Sequence, residues 1–418
     1  MFSSTDQTVT LTATVTSGAA TVNQGSVTFT VKDGVTVIGS TASGSVASGS
    51  ASASYTSPGG SAAKTYTIEA AYTSGPTGNF ADSSDNTKTL TVNKAGTTTT
   101  AADKTATFST ADQTVTLTAT VTSGAGTVNQ GSVTFTVKDG TTVIGSTASG
   151  SVVSGSASTS YTLPGGSAAK TYTIDAAYTS GPTGSFADSS DNTKTLKVNP
   201  ALATVNITGG PFTYDGSPHA ATVTTTPSIA GYSVNYAGTT TAYNSSTPPT
   251  NADTYTVTVT ITDPNYVLSG SGTGSITIKK LTVTVTLTAG QYKIYGAGDP
   301  TLTYTFAPAL VGTDTFSGAL SRDAGANVGL YNITQGTLAL STNYTLLFTG
   351  EVQFEIKKLT VTVTPTAGQY KIYGAGDPTL TYTFAPALIT SDTFSGALAR
   401  DAGTNVGLYN ITQGTLAL

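Results

Sequence analysis

The chain has 418 residues, of which 37% are hydrophobic and only 9% are charged, and its formal net charge is -5. Soluble domains typically carry about 25% charged residues, so hydroxyl side chains must supply much of the polar surface here. The acidic balance and the lack of any Lys/Arg cluster exclude a basic surface for nucleic acid. The length predicts several domains, and the absence of cysteine excludes disulfides and thiolate metal sites.

No apolar stretch approaches the roughly 20 residues that a membrane-spanning helix needs. Met1 is followed by Phe2 and then by hydroxyl residues, which differs from the basic and then apolar pattern of a secretory signal. We therefore expect no membrane span in this chain, and we expect any export signal or anchor to lie outside it.

Residues 1–94 begin with an alternation of apolar and hydroxyl side chains. Val9, Leu11 and Ala13 alternate with threonines, which places aliphatic groups on one face of a strand and hydroxyls on the other. The same period of two covers residues 26–33 and is followed by Gly34, which predicts a tight hairpin. This segment is therefore predicted to consist of β-strands over an apolar core.

Residues 95–200 repeat the first segment. A shift of 106 positions aligns Asp6 with Asp112 and Tyr66 with Tyr172 without an insertion or deletion. We call 1–94 and 95–200 the first and second 106-residue repeats. Met1 aligns with Thr107, so we expect the first repeat to lack the opening strands that residues 95–106 provide in the second.

Residues 201–280, the central segment, share a looser layout with the two segments after them. Asn251 precedes Tyr255 by four positions, and the same spacing recurs later in the chain. A shift of 78 positions aligns residues 281–358 with 359–418, which we call the first and second 78-residue repeats. Leu418 aligns with Leu340, so we expect the second of these to lack counterparts of residues 341–358. Either the natural polypeptide continues at both ends, or neighbouring chains donate the missing strands.

The five segments indicate an all-β protein made of tandem immunoglobulin-like β-sandwich beads. Glycine and proline recur at short intervals, and no long stretch keeps the apolar period of 3.6 that is typical of helices. The junctions are short, since the apolar alternation resumes directly after Ile278-Lys279-Lys280. Because such junctions restrict bending more than Gly/Ser linkers do, we predict an extended, semi-rigid rod.

Three sets of motifs lie in the five segments: residues 97–100, 114–121, 131–135, 172–178 and 196–198 in the 106-residue repeats; residues 212–218, 249–255 and 263–266 in the central segment; and residues 295–300, 320–322, 327–331 and 343–344 in the 78-residue repeats. Through the first set, the 106-residue repeats resemble bacterial Ig-like repeat domains of large surface proteins. The central segment resembles the MBG domain of bacterial adhesins, and the 78-residue repeats are similar to MBG/YDG-type repeats. The resemblance implies an extracellular β-sandwich array at a bacterial cell surface, used as an adhesin stalk.

Catalytic chemistry finds little support in the sequence. His219 is the single histidine, so a catalytic triad or a multi-histidine zinc site would lack its partners. Its place after Pro218 indicates a structural or exposed turn residue. The serines lack the Gly-x-Ser-x-Gly motif after a predicted strand. We therefore predict that the chain is not an enzyme.

Calcium is the one metal for which the sequence offers candidate ligands. Asp82 and Asp85, repeated as Asp188 and Asp191, could supply carboxylate oxygens near the ends of their repeats. Aspartate also initiates turns for structural reasons, and the alternating ligand pattern of an EF-hand is absent. We expect no cofactor, with these four residues as the candidates if calcium is bound.

Two functions remain open at this point. The first is a structural stalk or fibre segment of a surface adhesin, with self-association into filaments as a further option. The second is recognition of glycans or proteins by the central segment through exposed Tyr232, Tyr236 and Tyr243. Tyrosine also fills sandwich cores, so the second function requires that these three side chains are exposed to solvent.

Overall fold

The computed structural model describes residues 1–418, the whole chain. It contains 35 strands and no helix, so the predicted all-β class is confirmed. No helical segment with the length and hydropathy of a bilayer span is present. The chain divides into two compact parts. One comprises Met1–Val205, Thr224–Ser233 and Val259–Gly272, and the other comprises Asn206–Val223, Val234–Thr258 and Thr273–Leu418.

The first 106-residue repeat contains two sheets. Strands β1 and β5 form one, and the other has the order β3-β2-β6-β7 with β4 also paired to β2. The predicted alternation holds, since Val27, Phe29 and Val31 are buried while the threonines between them are half-buried. Gly34 and Val35 form the predicted hairpin turn, because Asp33 pairs with Thr36. The strands are β1 (Gln7–Thr14), β2 (Ser26–Asp33), β3 (Thr36–Val37), β4 (Ala42–Ser45), β5 (Ser50–Ser57), β6 (Thr65–Thr73) and β7 (Ser83–Thr91).

The second 106-residue repeat has the same plan and a larger buried core. Two additional strands, β8 and β9, come from its opening segment; β8 joins β10 in one sheet and β9 pairs in parallel with β16 in the other. Burial raises the pKa of Tyr161 to about 12. The strands are β8 (Thr98–Ala101), β9 (Lys104–Thr107), β10 (Gln113–Thr122), β11 (Ser132–Asp139), β12 (Thr142–Val143), β13 (Ala148–Ser151), β14 (Ser156–Leu163), β15 (Thr171–Thr179) and β16 (Ser189–Asn199).

The central segment follows with a single residue, Pro200, between strands. Its strands form a three-stranded sheet of order β19-β17-β23 and a five-stranded sheet of order β18-β24-β22-β20-β21. Tyr255, Val257 and Ile276 are fully buried on the five-stranded sheet. The strands are β17 (Ala201–Thr208), β18 (Phe212–Thr213), β19 (Thr222–Thr226), β20 (Tyr232–Gly238), β21 (Asn244–Ser245), β22 (Asp253–Ile261), β23 (Tyr266–Leu268) and β24 (Thr273–Lys279).

The first 78-residue repeat is separated from β24 by Lys280 alone, which agrees with the short junction expected from the sequence. Its sheets have the orders β27-β25-β30 and β26-β31-β29-β28. Val285, Phe354 and Ile356 form the centre of its core. The strands are β25 (Leu281–Leu287), β26 (Tyr292–Ile294), β27 (Tyr304–Ala307), β28 (Ser321–Arg322), β29 (Gly329–Thr334), β30 (Tyr344–Thr349) and β31 (Gln353–Lys357).

The second 78-residue repeat contains two pairs of strands. β32 pairs with β33, and β34 pairs with β35. Between them lies an open pocket of about 430 Å³ whose lining includes Val363, Phe394 and Leu416. The strands are β32 (Thr362–Pro365), β33 (Tyr382–Ala385), β34 (Ala399–Arg400) and β35 (Ile411–Thr412).

Candidate functional site

The same tyrosine contact occurs once in every segment. In each case a tyrosine hydroxyl donates to the backbone carbonyl four residues earlier, which is the tyrosine corner of immunoglobulin-like sandwiches. This bond ties the loop before the tyrosine to its ring, which is buried in the core in the first three segments and half-buried in the two 78-residue repeats. The pairs are Tyr66 with Ala62 (2.8 Å), Tyr172 with Ala168 (2.9 Å), Tyr255 with Asn251 (2.8 Å), Tyr331 with Asn327 (2.7 Å) and Tyr409 with Asn405 (2.8 Å).

Three of these corners also bond to the following segment. The backbone amide three residues before the tyrosine donates to a side-chain oxygen of the next segment along the chain. The bonds are Ala63 N to Ser185 Oγ (3.1 Å), Ala169 N to Asn265 Oδ1 (2.8 Å) and Ala252 N to Asn343 Oδ1 (2.9 Å). Because the donor lies in a loop that the tyrosine already holds, the bond connects two ordered structures.

An aromatic contact accompanies each of these hydrogen bonds. The residue after each acceptor is aromatic, and its ring meets an aromatic ring of the preceding segment edge to face, a favourable geometry worth about 0.5–1.5 kcal/mol beyond area burial. The centroid separations are 5.0 Å for Phe2–Phe186, 5.2 Å for Phe108–Tyr266 and 5.4 Å for Tyr214–Tyr344. We call the acceptor with its aromatic neighbour the junction dipeptide: Ser185-Phe186, Asn265-Tyr266 and Asn343-Tyr344.

The backbone of each junction dipeptide also anchors the first residues of its own segment. The carbonyls of Ser185, Asn265 and Asn343 accept the amides of Ala95, Ala201 and Leu281 at 2.9–3.0 Å. One residue therefore binds the preceding segment through its side chain and its own opening residues through its backbone. This arrangement restricts motion at the point where the chain passes from one segment to the next.

The junction between the central segment and the first 78-residue repeat has an additional carboxylate. Asp314 Oδ2 accepts the hydroxyls of Tyr214 at 2.9 Å and Tyr344 at 2.7 Å. The Tyr344 hydroxyl in turn accepts the amide of Val311 at 2.9 Å. Burial, followed by the adjacent Asp314 carboxylate, raises the pKa of both tyrosine hydroxyls. Both hydroxyls therefore stay protonated and can donate at neutral pH.

Close backbone packing occurs beside the Tyr214 contact. Gly216 has a φ of +77°, and a Cβ atom there would lie 2.7 Å from Val311 Cγ1. The equivalent Gly296 lies against Ile389 of the second 78-residue repeat, and Tyr295 contacts Asp392 at the longer distance of 3.5 Å. The same arrangement therefore occurs at two consecutive junctions. At each of them, a turn with the sequence Tyr-x-Gly or Tyr-Gly packs on an aliphatic residue and a carboxylate of the next segment.

The four aspartates proposed as calcium ligands serve as backbone acceptors. Asp82 and Asp188 accept the amides of Ser74 and Ser180, both at 2.9 Å. Asp85 and Asp191 accept both the amide and the hydroxyl of a threonine two residues later. These bonds lower the pKa of Asp85 and Asp191. No group of three or more acidic or histidine side chains converges anywhere in residues 1–418.

His219 lies in the turn that the sequence indicated, with only 15% of its side chain exposed. Its ring stacks on Phe212 at a centroid distance of 4.4 Å, and Nε2 lies 3.1 Å from Asp215 Oδ1. The ring thereby supports the turn that contains Tyr214 and Gly216. Its contacts correspond to a structural role.

The three tyrosines considered for glycan recognition are not all exposed, and the expectation is wrong for Tyr236. That side chain is 3% exposed and belongs to the core, where its hydroxyl accepts the amide of Ala221. Tyr243 is half-buried against Tyr255 and donates to the carbonyl of Thr247. Tyr232 is also half-buried. Tyr236 is buried because alternation along β20 directs its side chain toward the core. The three tyrosines therefore form no common exposed aromatic surface.

Sequence reasoning identified the Asn-x-x-x-Tyr spacing and the Asn-Tyr pairs but not their roles at the junctions. The signal that could have found them was the recurrence of an acceptor followed by an aromatic residue at the same place in three consecutive segments. Ser185-Phe186 obscured it, because a different residue type supplies the acceptor oxygen there.

Comparison with known families places matches over the C-terminal half of the chain. The MBG domain matches residues 203–282. The MBG domain of the YGX type matches residues 281–352 and 361–418. These regions correspond to the central segment and to the two 78-residue repeats. No curated protein is significantly similar to the chain.

Three solved structures are similar to parts of the chain at TM-scores below 0.5. The tetra-tandem repeat in the extending region of a large adhesion protein is 18% identical, with a TM-score of 0.37 over 83% of this chain and 94% of that one. Three N-terminal domains of the bacteriophage RB49 Hoc protein are 12% identical, with a TM-score of 0.19 over 64% and 99%. Trypsin-activated alpha-2-macroglobulin from Escherichia coli is 11% identical, with a TM-score of 0.21 over 96% and 31%.

Proposed function

Because residues 203–352 and 361–418 belong to the MBG domain family, we propose that the chain is a non-catalytic structural segment of an extracellular bacterial surface adhesin. In this role it acts as a stalk, and its repeated junctions hold consecutive domains in fixed orientations. The resemblance of all five segments to repeats of bacterial surface proteins supports both the proposed location at the bacterial surface and the proposed class, a surface adhesin.

The observation that carries the proposal is the recurrence of the same junction. Amide donors from tyrosine corners, an acceptor side chain and an edge-to-face aromatic pair occur at three successive boundaries. A flexible linker requires none of these contacts, whereas a stalk under mechanical force benefits from each of them because bending would break several bonds at once. Hydrogen-bonded and aromatic contacts of this kind contribute about 1 kcal/mol each.

Stiffness at a junction can be measured with spin labels, because the chain has no native cysteine. Thr256→Cys and Leu347→Cys place labels on exposed strand positions of the central segment and the first 78-residue repeat. We expect a narrow distance distribution that broadens when Asn343→Ala and Asp314→Ala are combined. Asn332→Ala is the matched control, because its side chain bonds only within its own repeat.

A broad distribution in the chain with intact junctions would contradict a stiff stalk. The cellular location is tested separately by antibody labelling of intact bacteria that express the natural protein. Labelling only after the cells are permeabilised would exclude the surface role.

A further inference from the structure

The first 78-residue repeat exposes an apolar surface on the solvent side of the sheet β26-β31-β29-β28. Tyr292, Ile294 and Leu330 are 50%, 38% and 61% exposed, and Val328, directly before β29, is 46% exposed. Glu355 and Lys357 lie among them on the central strand β31. We call these six residues the outer face. Contiguous exposed apolar groups on a stable sheet are typical of interaction surfaces.

Strand register arranges the outer face in two rows. Tyr292 and Leu330 both pair with Glu355, which gives the row Tyr292, Glu355, Leu330. Ile294 pairs with Lys357, and Val328 continues the β29 register opposite Lys357. Each row therefore has one charge at its centre and one apolar side chain on either side. The two central charges have opposite signs.

Opposite charges on adjacent rows make the outer face complementary to itself. A two-fold axis that passes between Glu355 and Lys357, perpendicular to β31 and in the plane of contact, exchanges the rows. It would place Glu355 opposite Lys357 of a second molecule and Leu330 opposite Val328. It would also place Tyr292 opposite Ile294, so apolar groups meet apolar groups on both sides of the charges. Such an interface is isologous, with the same surface used by both molecules.

We propose that the outer face binds the outer face of a second copy of this chain, with the two β31 strands antiparallel. Lys357 Nζ lies 3.8 Å from Glu355 Oε2 and 3.8 Å from the centre of the Tyr292 ring. The lysine ammonium therefore lies over the Tyr292 ring, where a carboxylate of a second molecule can pair with it. A partner of one charge sign would leave either Glu355 or Lys357 opposed by a like charge, which is unfavourable.

The four apolar positions recur in the second 78-residue repeat as Tyr370, Ile372, Val406 and Leu408. Residues 359–418 contain no counterpart of β31 or of its two charges, so the proposal concerns the first 78-residue repeat alone. The interaction would join stalks side by side, and it is independent of the junctions on which the proposed function depends.

Charge exchange tests the proposal with the full chain. Sedimentation velocity is recorded at concentrations up to about 1 mM, where weak pairs with dissociation constants in this range are populated. We expect concentration-dependent dimers for the unmodified chain. Glu355→Lys and Lys357→Glu should each weaken association at least about tenfold, because each variant then opposes like charges. A 1:1 mixture of the two variants should restore association, since the lysine introduced in one variant then meets the glutamate introduced in the other.

Two controls separate this surface from other apolar surfaces. Leu330→Ser should weaken association, whereas Leu347→Ser, at an exposed leucine of the other sheet, should leave it unchanged. Circular dichroism and thermal melting of each variant verify that the fold is retained. A chain that stays monomeric throughout the concentration range would overturn the proposal, including the case in which the outer face binds a different partner. Association that persists in both charge variants, or that fails to recover in their mixture, would overturn it as well.

Discussion

Asn343 Oδ1 accepts the backbone amide of Ala252 at 2.9 Å and thereby joins the first 78-residue repeat to the tyrosine corner of the central segment. The same asparagine donates from Nδ2 to Asn251 Oδ1 at 3.1 Å. Asn251 is also the residue whose carbonyl accepts the Tyr255 hydroxyl. The corner and the junction therefore share one loop, so a substitution at the junction should alter the stability of that loop.

Asn343→Ala should increase the hydrogen-exchange rate of the Ala252 amide by about fivefold. The substitution removes the acceptor, and a lost hydrogen bond of about 1 kcal/mol corresponds to a change of this size. Exchange measured by NMR or mass spectrometry tests it, with Asn332→Ala as the control. Unchanged protection of Ala252 would mean that the bond does not hold the loop in solution.

Gly216→Ala should destabilise the junction more than Gly270→Ala does. Both glycines have positive φ angles, +77° and +88°, so the backbone cost of alanine is similar. A Cβ at Gly216 would meet Val311 Cγ1 at 2.7 Å, whereas none of the atoms around Gly270 lies within 4 Å. We expect a lower melting temperature for Gly216→Ala by an amount equivalent to about 1–3 kcal/mol of overpacking. Equal effects would show that Val311 moves aside freely.

Asp253 should make the central segment sensitive to acid. Burial alone would raise the pKa of this carboxyl, but hydrogen bonds from Thr241 and Thr240 and from the Thr254 amide outweigh burial and hold the pKa well below its usual range. Its stabilisation is therefore complete above the ordinary carboxyl pKa near 4 and is lost as the pH falls below that value.

Asp253→Asn measures this contribution. At pH 7 the variant should lose about 2 kcal/mol of unfolding free energy, because hydrogen bonds to a charged acceptor are replaced by weaker ones. The difference between the two proteins should shrink as the pH is lowered from about 4 to about 2. Denaturant unfolding at several pH values gives the comparison, and a difference that does not depend on pH would rule out the charged carboxylate as its source.

Removal of divalent cations should leave the melting temperature unchanged. Asp82, Asp85, Asp188 and Asp191 each accept backbone amides, so their oxygens have partners without a metal. Melting in excess EDTA and in calcium buffer makes the comparison on the full chain. A clear increase in stability with calcium, by the linkage between binding and folding, would show that these residues bind it.

The sequence alone was sufficient to predict the strands and the repeats. Alternation with a period of two is a local property, so β10 with Val115, Leu117 and Ala119 buried could be predicted without a structure. The offsets of 106 and 78 residues likewise predict that equivalent positions adopt equivalent structures. The buried position of Tyr236 follows from the same alternation, because Tyr236 lies two positions after Val234 on β20 and shares its core-facing side.

Only the tertiary structure decided which side chains meet across segment boundaries. Ala252 and Asn343 are separated by 91 positions, and no periodicity relates an alanine amide to a distant asparagine. Their contact depends on how one folded segment packs against the next, since the donor is a backbone group that every non-proline residue carries. The outer face likewise depends on the tertiary structure. Glu355 and Lys357 become complementary to a second copy only after the register of β26, β29 and β31 places apolar residues on either side of them.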